Sequence, residues 1–354
     1  MILISQKTGL NDRVAIGRVG MSKVFITGGT GFIGSHLCNH LAEQGHELVV
    51  LVRGGERKVI SGRLALPDSA RQVRGDLLRP ETYVNAMQGC DAVMHLAADY
   101  RIGFPNKASE RRKMYDTNVQ GTLAIAQAVE QTHVPRLICA STTAALGETF
   151  GEFPDEGHLH NSVFRCYYEE TKHIAHRLLE QRQKEGLPVV MAVLSGVFGV
   201  GDNSSVTLTM RDFLNDKLPG LPDSTSRFQL CHVSHICKAF ELLLTHPDQD
   251  LDGAYLFTGQ DFSMVELIGL LAELSGKAAP KKLPVKALKI PAMLMDGLSR
   301  FGLSFPLSKE VIRIMDGSTY MYSSAKAQRE LGWSAGDSLE ELKTYMRHLI
   351  NEVL

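Results

Sequence analysis

The sequence predicts an α/β protein, a doubly wound parallel sheet with a smaller, mainly helical C-terminal substrate lobe. Three observations carry this. Short apolar runs alternate with helical patterns over more than half of the chain. The first run ends in a glycine cluster that opens a helix, "VFITGGTGFIGSHL" over residues 24–37. After Gly199 the alternation breaks, and helical patterns dominate from Phe262 onward.

The elements follow in order. Lys23–Thr27 is a β-rich run. Phe32–Gln44 reads as a helix, with Ile33, Leu37 and Leu41 spaced by four and Gly45 as its stop. "ELVVLV" (Glu47–Val52) is a second strand, "RQVRGD" ends a third, and "DAVMHLAA" (Asp91–Ala98) is a fourth. A helix through "NVQGTLAIAQAVEQ" leads to a fifth strand, "RLICAST". The helical "YYEETKHIAHRLLEQRQ" leads to a sixth, "PVVMAVLSGVF". Strands this apolar throughout belong to a parallel sheet covered on both faces. Right-handed crossovers then wind it doubly, in the Rossmann manner. The loop-rich stretch after Gly199 gives way to a strand end plus helix in "HVSHICKAFELLLTH" and to a strand in "GAYLFTG". The expected division is a Rossmann domain over 21–199 and 228–260 and a substrate lobe over 200–227 and 261–354. Residues 1–20, ahead of "MSKVFITGG", are expected to be a disordered extension.

Composition narrows the function classes. The chain has 354 residues, 44% of them hydrophobic, and a formal net charge of −1. That supplies a large core and gives no electrostatic reason for a nucleic-acid or anionic-membrane partner. The six cysteines are scattered without a C-x-x-C pair, which fits a reduced, cytoplasmic setting rather than a disulfide scaffold or zinc site. No apolar run is long enough for a membrane span. His133, His158, His160, His173 and His176 form no metal-ligand pattern, and His173 with His176 reads as a surface patch.

Gly28, Gly31 and Gly34 fall at G-x-x-G-x-x-G, with Gly29 completing a literal G-x-G-x-x-G. Between a strand and a helix, such spacing lets backbone approach a pyrophosphate and turns helix N–H groups toward it. Gly28, Thr30, Gly31, Phe32, Ile33 and Gly34 are therefore the expected dinucleotide-binding turn. The end of the second strand selects the cofactor. A carboxylate there suits the ribose 2′-hydroxyl of NAD(H), but the chain has Arg53, with Arg57 and Lys58 behind it. Arginine suits a 2′-phosphate, so NADP(H) is expected over NAD(H). Asp76 and Leu77 follow the third strand, where Asp76 either accepts from the adenine amino group or forms a local turn.

Tyr168 and Lys172 stand four apart on one helical face. An ammonium near a phenol favours the phenolate and lowers a pKa that is ordinarily about 10. Tyr168 could then exchange a proton with a carbonyl or hydroxyl oxygen while hydride moves. Ser141, Thr142 and Thr143 end the fifth strand, where their hydroxyls could polarise a substrate carbonyl.

These residues resemble the extended short-chain dehydrogenase/reductases. The likeness is to the branch holding dihydroflavonol reductase-like, 3β-hydroxysteroid dehydrogenase-like and hopanoid-associated epimerase-like enzymes. It is carried by "TGGTGFIG", "VLVR", "GDLLRP", "HLAADYR", "NVQGT", "STTAALG", "YYEETK", "GVFGVGD" and "YSSAKAQRELGW", in family order over about residues 21–335. The resemblance implies a catalytic set of Thr142, Tyr168 and Lys172, supported by Asn118. It also implies cofactor contacts from Ala97 and Ala98, and from Val197 where the family usually carries Pro nearby. Dimers are common in such a family, so a homodimer is an expectation.

Three functions compete: NADP(H)-linked interconversion of ketone or aldehyde and alcohol on a small-molecule substrate, nucleotide-sugar epimerisation or dehydration, and non-catalytic sensing. Nucleotide-sugar members place an arginine four residues before the "HV" histidine; here Phe228 stands there and Arg227 is one off. An Arg-Pro-Gly-Asp run near the end is also missing. Both points favour the oxidoreductase, and the presence of Tyr168 and Lys172 argues against a sensor. Asp99, Tyr100 and Thr143 are expected to face substrate, and Arg101 hints at a polar group there. The apolar stretch "LPVKALKIPAMLMDGLSRFGLSFPLS" reads as a helical core or as the lining of a hydrophobic pocket.

Overall fold

The computed structural model describes residues 20–54, 63–102, 108–218, 220–247, 251, 253–299 and 309–354. All but the last residue of the expected N-terminal extension, together with Arg57 and Lys58, lies outside the described residues.

The described strands are β1 (Lys23–Thr27), β2 (Glu47–Val52), β3 (Arg71–Arg74), β4 (Ala92–His95), β5 (Leu137–Thr142), β6 (Val189–Leu194), β7 (Gly196–Phe198), β8 (Leu221–Asp223), β9 (Arg227–His232), β10 (Ala254–Phe257), β11 (Gln260–Phe262), β12 (Lys282–Pro284) and β13 (Thr319–Tyr320). The helices are α1 (Phe32–Glu43), α2 (Val84–Met87), α3 (Ala108–Tyr115), α4 (Gly121–Thr132), α5 (Thr143–Leu146), α6 (Tyr167–Lys184), α7 (Ser205–Leu214), α8 (Val233–Thr245), α9 (Met264–Ser275), α10 (Val285–Ser299), α11 (Lys309–Met315), α12 (Ala325–Leu331) and α13 (Ser338–Val353).

Seven parallel strands form the main sheet in the order β10-β6-β5-β4-β1-β2-β3. This is the expected doubly wound Rossmann sheet. The chain runs outward from β1 to β3, then crosses back to β4 on the other side of β1. The reversal between β1 and β4 opens a crevice at the carboxyl edge, the general ligand site of such sheets. Alternate residues of each strand serve opposite cores. Val24, Ile26, Leu48 and Val50 pack with α1, α8 and Trp333 on one face. Phe25, Val49, Leu51 and Val93 pack with α4 and α6 on the other. Burial on both faces is why the inner strands read as unbroken apolar runs, whereas the edge strand β3 is polar and largely exposed.

The sixth run, expected as one strand, is two. Ser195 donates its N–H to the Phe257 carbonyl, and β7 then leaves the main sheet to pair with β9. A Cβ at Gly196 would lie 2.9 Å from the Gln229 carbonyl oxygen, so only glycine lets the two strands approach this closely. The second sheet joins β7, β9, β11 and β13. A third core of Phe198, Met210, Leu230, Phe262, Leu267, Leu342 and Met346 fills the space between this sheet and α7, α9 and α13. The chain end also returns to the main sheet: the Trp333 ring meets Phe257 edge-on and its indole N–H donates to the His235 carbonyl at 2.9 Å.

Candidate active site

The glycine turn is a backbone structure held by its lack of side chains. Gly28 has φ +75°, and a Cβ there would lie 2.6 Å from the Ala97 amide nitrogen. The loop leaving β4 therefore passes directly over the turn, with the Ala97 N–H reaching Thr27 Oγ1 at 3.4 Å. Gly31 donates to the Gly28 carbonyl at 2.8 Å, and a Cβ at Gly34 would sit 2.2 Å from that same oxygen. Gly31 caps α1 with no side-chain hydrogen bond, which leaves the first helical N–H groups facing the crevice. Thr30, Phe32 and Ile33 complete the turn and are partly buried. This cradle, which added side chains would fill, fits the pyrophosphate of a dinucleotide.

Arg53 stands exposed just beyond β2. Asp76 accepts from the Leu78 N–H at 3.0 Å through one carboxylate oxygen, so it does form a local turn. Leu77 packs under the start of α4, where a Cβ on Gly121 would meet its side chain at 2.5 Å. Ala98 is exposed beyond β4, and Val197 lies in β7 opposite Cys231.

The hydroxyl end is built by side chains. On α6 the buried residues Tyr168, Thr171, Lys172, Ala175, His176 and Leu179 trace one helical face against the sheet, and Glu169, also buried, accepts from the Arg165 N–H and the Tyr320 hydroxyl. Tyr167 points elsewhere: its ring lies under the Arg111 guanidinium and its N–H donates to Glu310. The period of the helix thus separates the two adjacent tyrosines. The strand end separates the three hydroxyls in the same way. Ser141 is occupied by His176 Nδ1 at 2.8 Å, while the Thr142 hydroxyl accepts from the Ala144 N–H at 3.3 Å and caps α5. Thr143 is buried as the first residue of α5.

Lys172 Nζ donates to the Ala140 carbonyl at 2.9 Å, at the floor of the crevice. The expected lowering of the phenol by Lys172 is corrected here. Burial, reinforced by Tyr100 and Cys166, pushes Tyr168 well above the ordinary phenol range, opposed only by the nearby Thr142 side chain. Burial also lowers Lys172 below the usual lysine range. The helical spacing sets both side chains on one face, but the ammonium turns to backbone rather than to the phenol.

Asn118 lies in a π-helical turn, Asp116–Gln120, between α3 and α4. Its Oδ1 accepts from the Asp99 N–H at 2.7 Å, and its Nδ2 donates to the Asp99 carbonyl and Thr171 Oγ1 at 3.0 Å each. It clamps the β4 loop to α6. Asp99 forks onto Arg101, which also pairs with Glu110 at 2.6 Å, so these charges satisfy one another. Between them Tyr100 meets the Tyr168 ring edge-on, with centroids 4.9 Å apart. Met114, Cys166, Ile102, Ala144 and Ile314 pack around Tyr168, giving the phenol apolar walls.

Three features were not read from the sequence. His176 is buried beside Ser141 rather than on a surface patch. His95, also buried, links Thr27 of β1 at 2.7 Å to Thr122 of α4 at 3.2 Å. Glu148, just after α5, accepts from the Thr319 N–H at 2.8 Å and pairs with Arg165, tying β13 to the segment before α6. A cavity of about 720 Å³ lined by Gln229, Thr258, Tyr322, Ser324 and Asp337 shares none of the crevice residues named above.

The sequence profile described as the NAD dependent epimerase/dehydratase family matches residues 24–256. A 3-beta-hydroxysteroid dehydrogenase of Mycolicibacterium neoaurum is 27% identical over 89% of this chain and 88% of its own. A UDP-glucose 4-epimerase of Streptomyces lividans is 25% identical over 85% of this chain and 96% of its own. The crystal structure of gox2253 superposes with a TM-score of 0.73 at 26% identity, over 92% of this chain and 98% of that one.

Proposed function

We propose that this chain, which belongs to the NAD dependent epimerase/dehydratase family, is an NADP(H)-dependent oxidoreductase that interconverts a carbonyl and an alcohol on a hydrophobic small molecule. The observation that carries the reading is the buried Tyr168 phenol, among Ile102, Ala144 and Ile314, one helical turn before a Lys172 held on the Ala140 carbonyl of β5.

The nicotinamide would supply or accept the hydride. Gly28, Gly31, Gly34 and the start of α1 would hold its dinucleotide, with Asp76 and Leu77 near the adenine and Ala97, Ala98 and Val197 along the path. Lys172 would hold the nicotinamide ribose from the floor of the crevice. Thr142 would hold the substrate oxygen, and Tyr168 would exchange the proton with it. A phenol raised by burial stays protonated at neutral pH, so it is set to donate. Asn118 acts by fixing the β4 loop, and Thr143 supports the strand end. Tyr100 would meet the substrate directly.

The epimerase alternative has a relative in its favour, but the cation nearest to the expected diphosphate clamp is engaged. Arg227 pairs with Asp261 at 2.6 Å and Glu266 at 3.1 Å. A diphosphate needs such a guanidinium for charge-assisted bonds. The test is cofactor consumption with NADPH and NADH against aldehydes, aryl ketones, steroids and nucleotide sugars. NADPH oxidation with an apolar carbonyl compound is expected. Turnover of a nucleotide sugar without net cofactor use would replace this reading with epimerisation.

A further inference from the structure

Arg63 is a cation that the sequence motifs pass over. The chain leaves β2 at Arg53 and is described again from Arg63. There the backbone is fastened to α1. The Ala65 carbonyl accepts from Asn39 Nδ2 at 2.9 Å, Leu66 packs against the core of that face, and the Ala70 N–H returns to the Pro67 carbonyl at 2.9 Å. From this anchored position the Arg63 guanidinium crosses to the glycine turn and donates through Nη1 to the Thr30 carbonyl at 3.3 Å.

The arrangement leaves donors over. The Arg63 Nε is shielded from solvent and has no hydrogen-bond partner among the described residues. Burial pulls the guanidinium below the usual arginine range, the mark of a cation held partly away from water. A planar guanidinium with spare donors, braced against a phosphate-binding turn, suits a phosphate oxygen. In doubly wound sheets the turn after the first strand and the end of the second flank the adenosine ribose. Arg53 occupies that strand end but is exposed, and charges in water discriminate weakly.

We propose that Arg63 selects the phosphorylated cofactor, holding the adenosine 2′-phosphate against the glycine turn with Arg53 as a solvated outer partner. The proposal rests on the NADP(H) reading above. It assigns the larger part of the preference to a residue ten positions beyond the strand end.

The test measures binding by calorimetry on the full chain, with NADPH, NADH, 2′,5′-ADP and 5′-AMP as probes. Wild type is expected to bind NADPH and 2′,5′-ADP more tightly than NADH and 5′-AMP. Arg63→Met, which keeps length and packing, should weaken the two phosphorylated probes by about 10- to 100-fold and leave the other two within about twofold. Arg63→Lys should restore part of the loss, and Arg53→Met should weaken the phosphorylated probes less than Arg63→Met does. Equal losses for all four probes, or no loss, would overturn the role of Arg63 while a wild-type preference for NADPH kept the cofactor reading. A wild type that binds NADH as tightly as NADPH would overturn both.

Discussion

At the glycine end of the crevice the surface is backbone, and what matters is the room left by missing side chains. At the hydroxyl end the polar atoms belong to side chains, and what matters is which neighbour each one meets. Gly34 is needed because a Cβ would stand 2.2 Å from the Gly28 carbonyl oxygen. Thr142 is suited because Ser141 beside it is already bound to His176. The first end tolerates almost no added atom. The second keeps its shape through substitutions that conserve volume. A turn made of backbone is therefore expected to fail by folding and binding together, and a hydroxyl by chemistry alone.

Tyr168→Phe tests that contrast most sharply. It deletes one oxygen and leaves the ring among Met114, Cys166 and Ile314. The kcat for carbonyl reduction should fall by about 10²- to 10⁴-fold. NADPH affinity should stay within about twofold, and the melting temperature within about 4 °C. Retained turnover would remove the phenol from the mechanism.

Gly34→Ala is the counterpart at the other end. The added methyl meets backbone that cannot swing aside, at an overpacking cost of about 1–3 kcal/mol. Chemical denaturation should show that loss. NADPH and NADH titrations should show both dinucleotides weakened alike, because the pyrophosphate cradle is common to them. Unchanged stability and binding would mean that the turn relaxes and that its close packing is incidental.

His95 joins the two ends, since Thr27 leads into the glycine turn and Thr122 follows Asn118 on α4. Burial, with Lys172 nearby, lowers its pKa to about 3. An unfolded chain's histidine takes up a proton below about pH 6.5. Between those values the unfolded state holds the extra proton, so stability falls as pH falls, by up to about 1.4 kcal/mol per unit from this group. Denaturant midpoints measured from pH 7 to 5 should decline less steeply in His95→Gln than in wild type. Parallel declines would assign the acid sensitivity to other groups.

Much of the architecture was legible. The inner strands of the main sheet are visible because both faces are buried, and the turn is visible because close packing there admits only glycine. The helix face carrying Tyr168 and Lys172 follows from a period of 3.6. Legibility ended where the outcome hung on contacts between distant segments. The sixth run hides a break at Ser195 because the partners that divide it, Phe257 and Leu230, come from later in the chain. The spacing of Tyr168 and Lys172 says nothing of the Ala140 carbonyl that holds the amine. Arg101 reads as an available cation until Asp99 and Glu110 close on it.

The sequence by itself determined the sheet, the glycine turn and the helical face shared by Tyr168 and Lys172, because local periodicity and steric exclusion act over a few neighbouring residues. Tertiary structure alone decided that His176 takes the Ser141 hydroxyl, what Lys172 and Arg227 bind, and that Arg63 reaches the glycine turn. Those are matters of hydrogen bonding and charge between segments tens to hundreds of residues apart, and burial, which sets the phenol's proton affinity, exists only once the chain has closed around it.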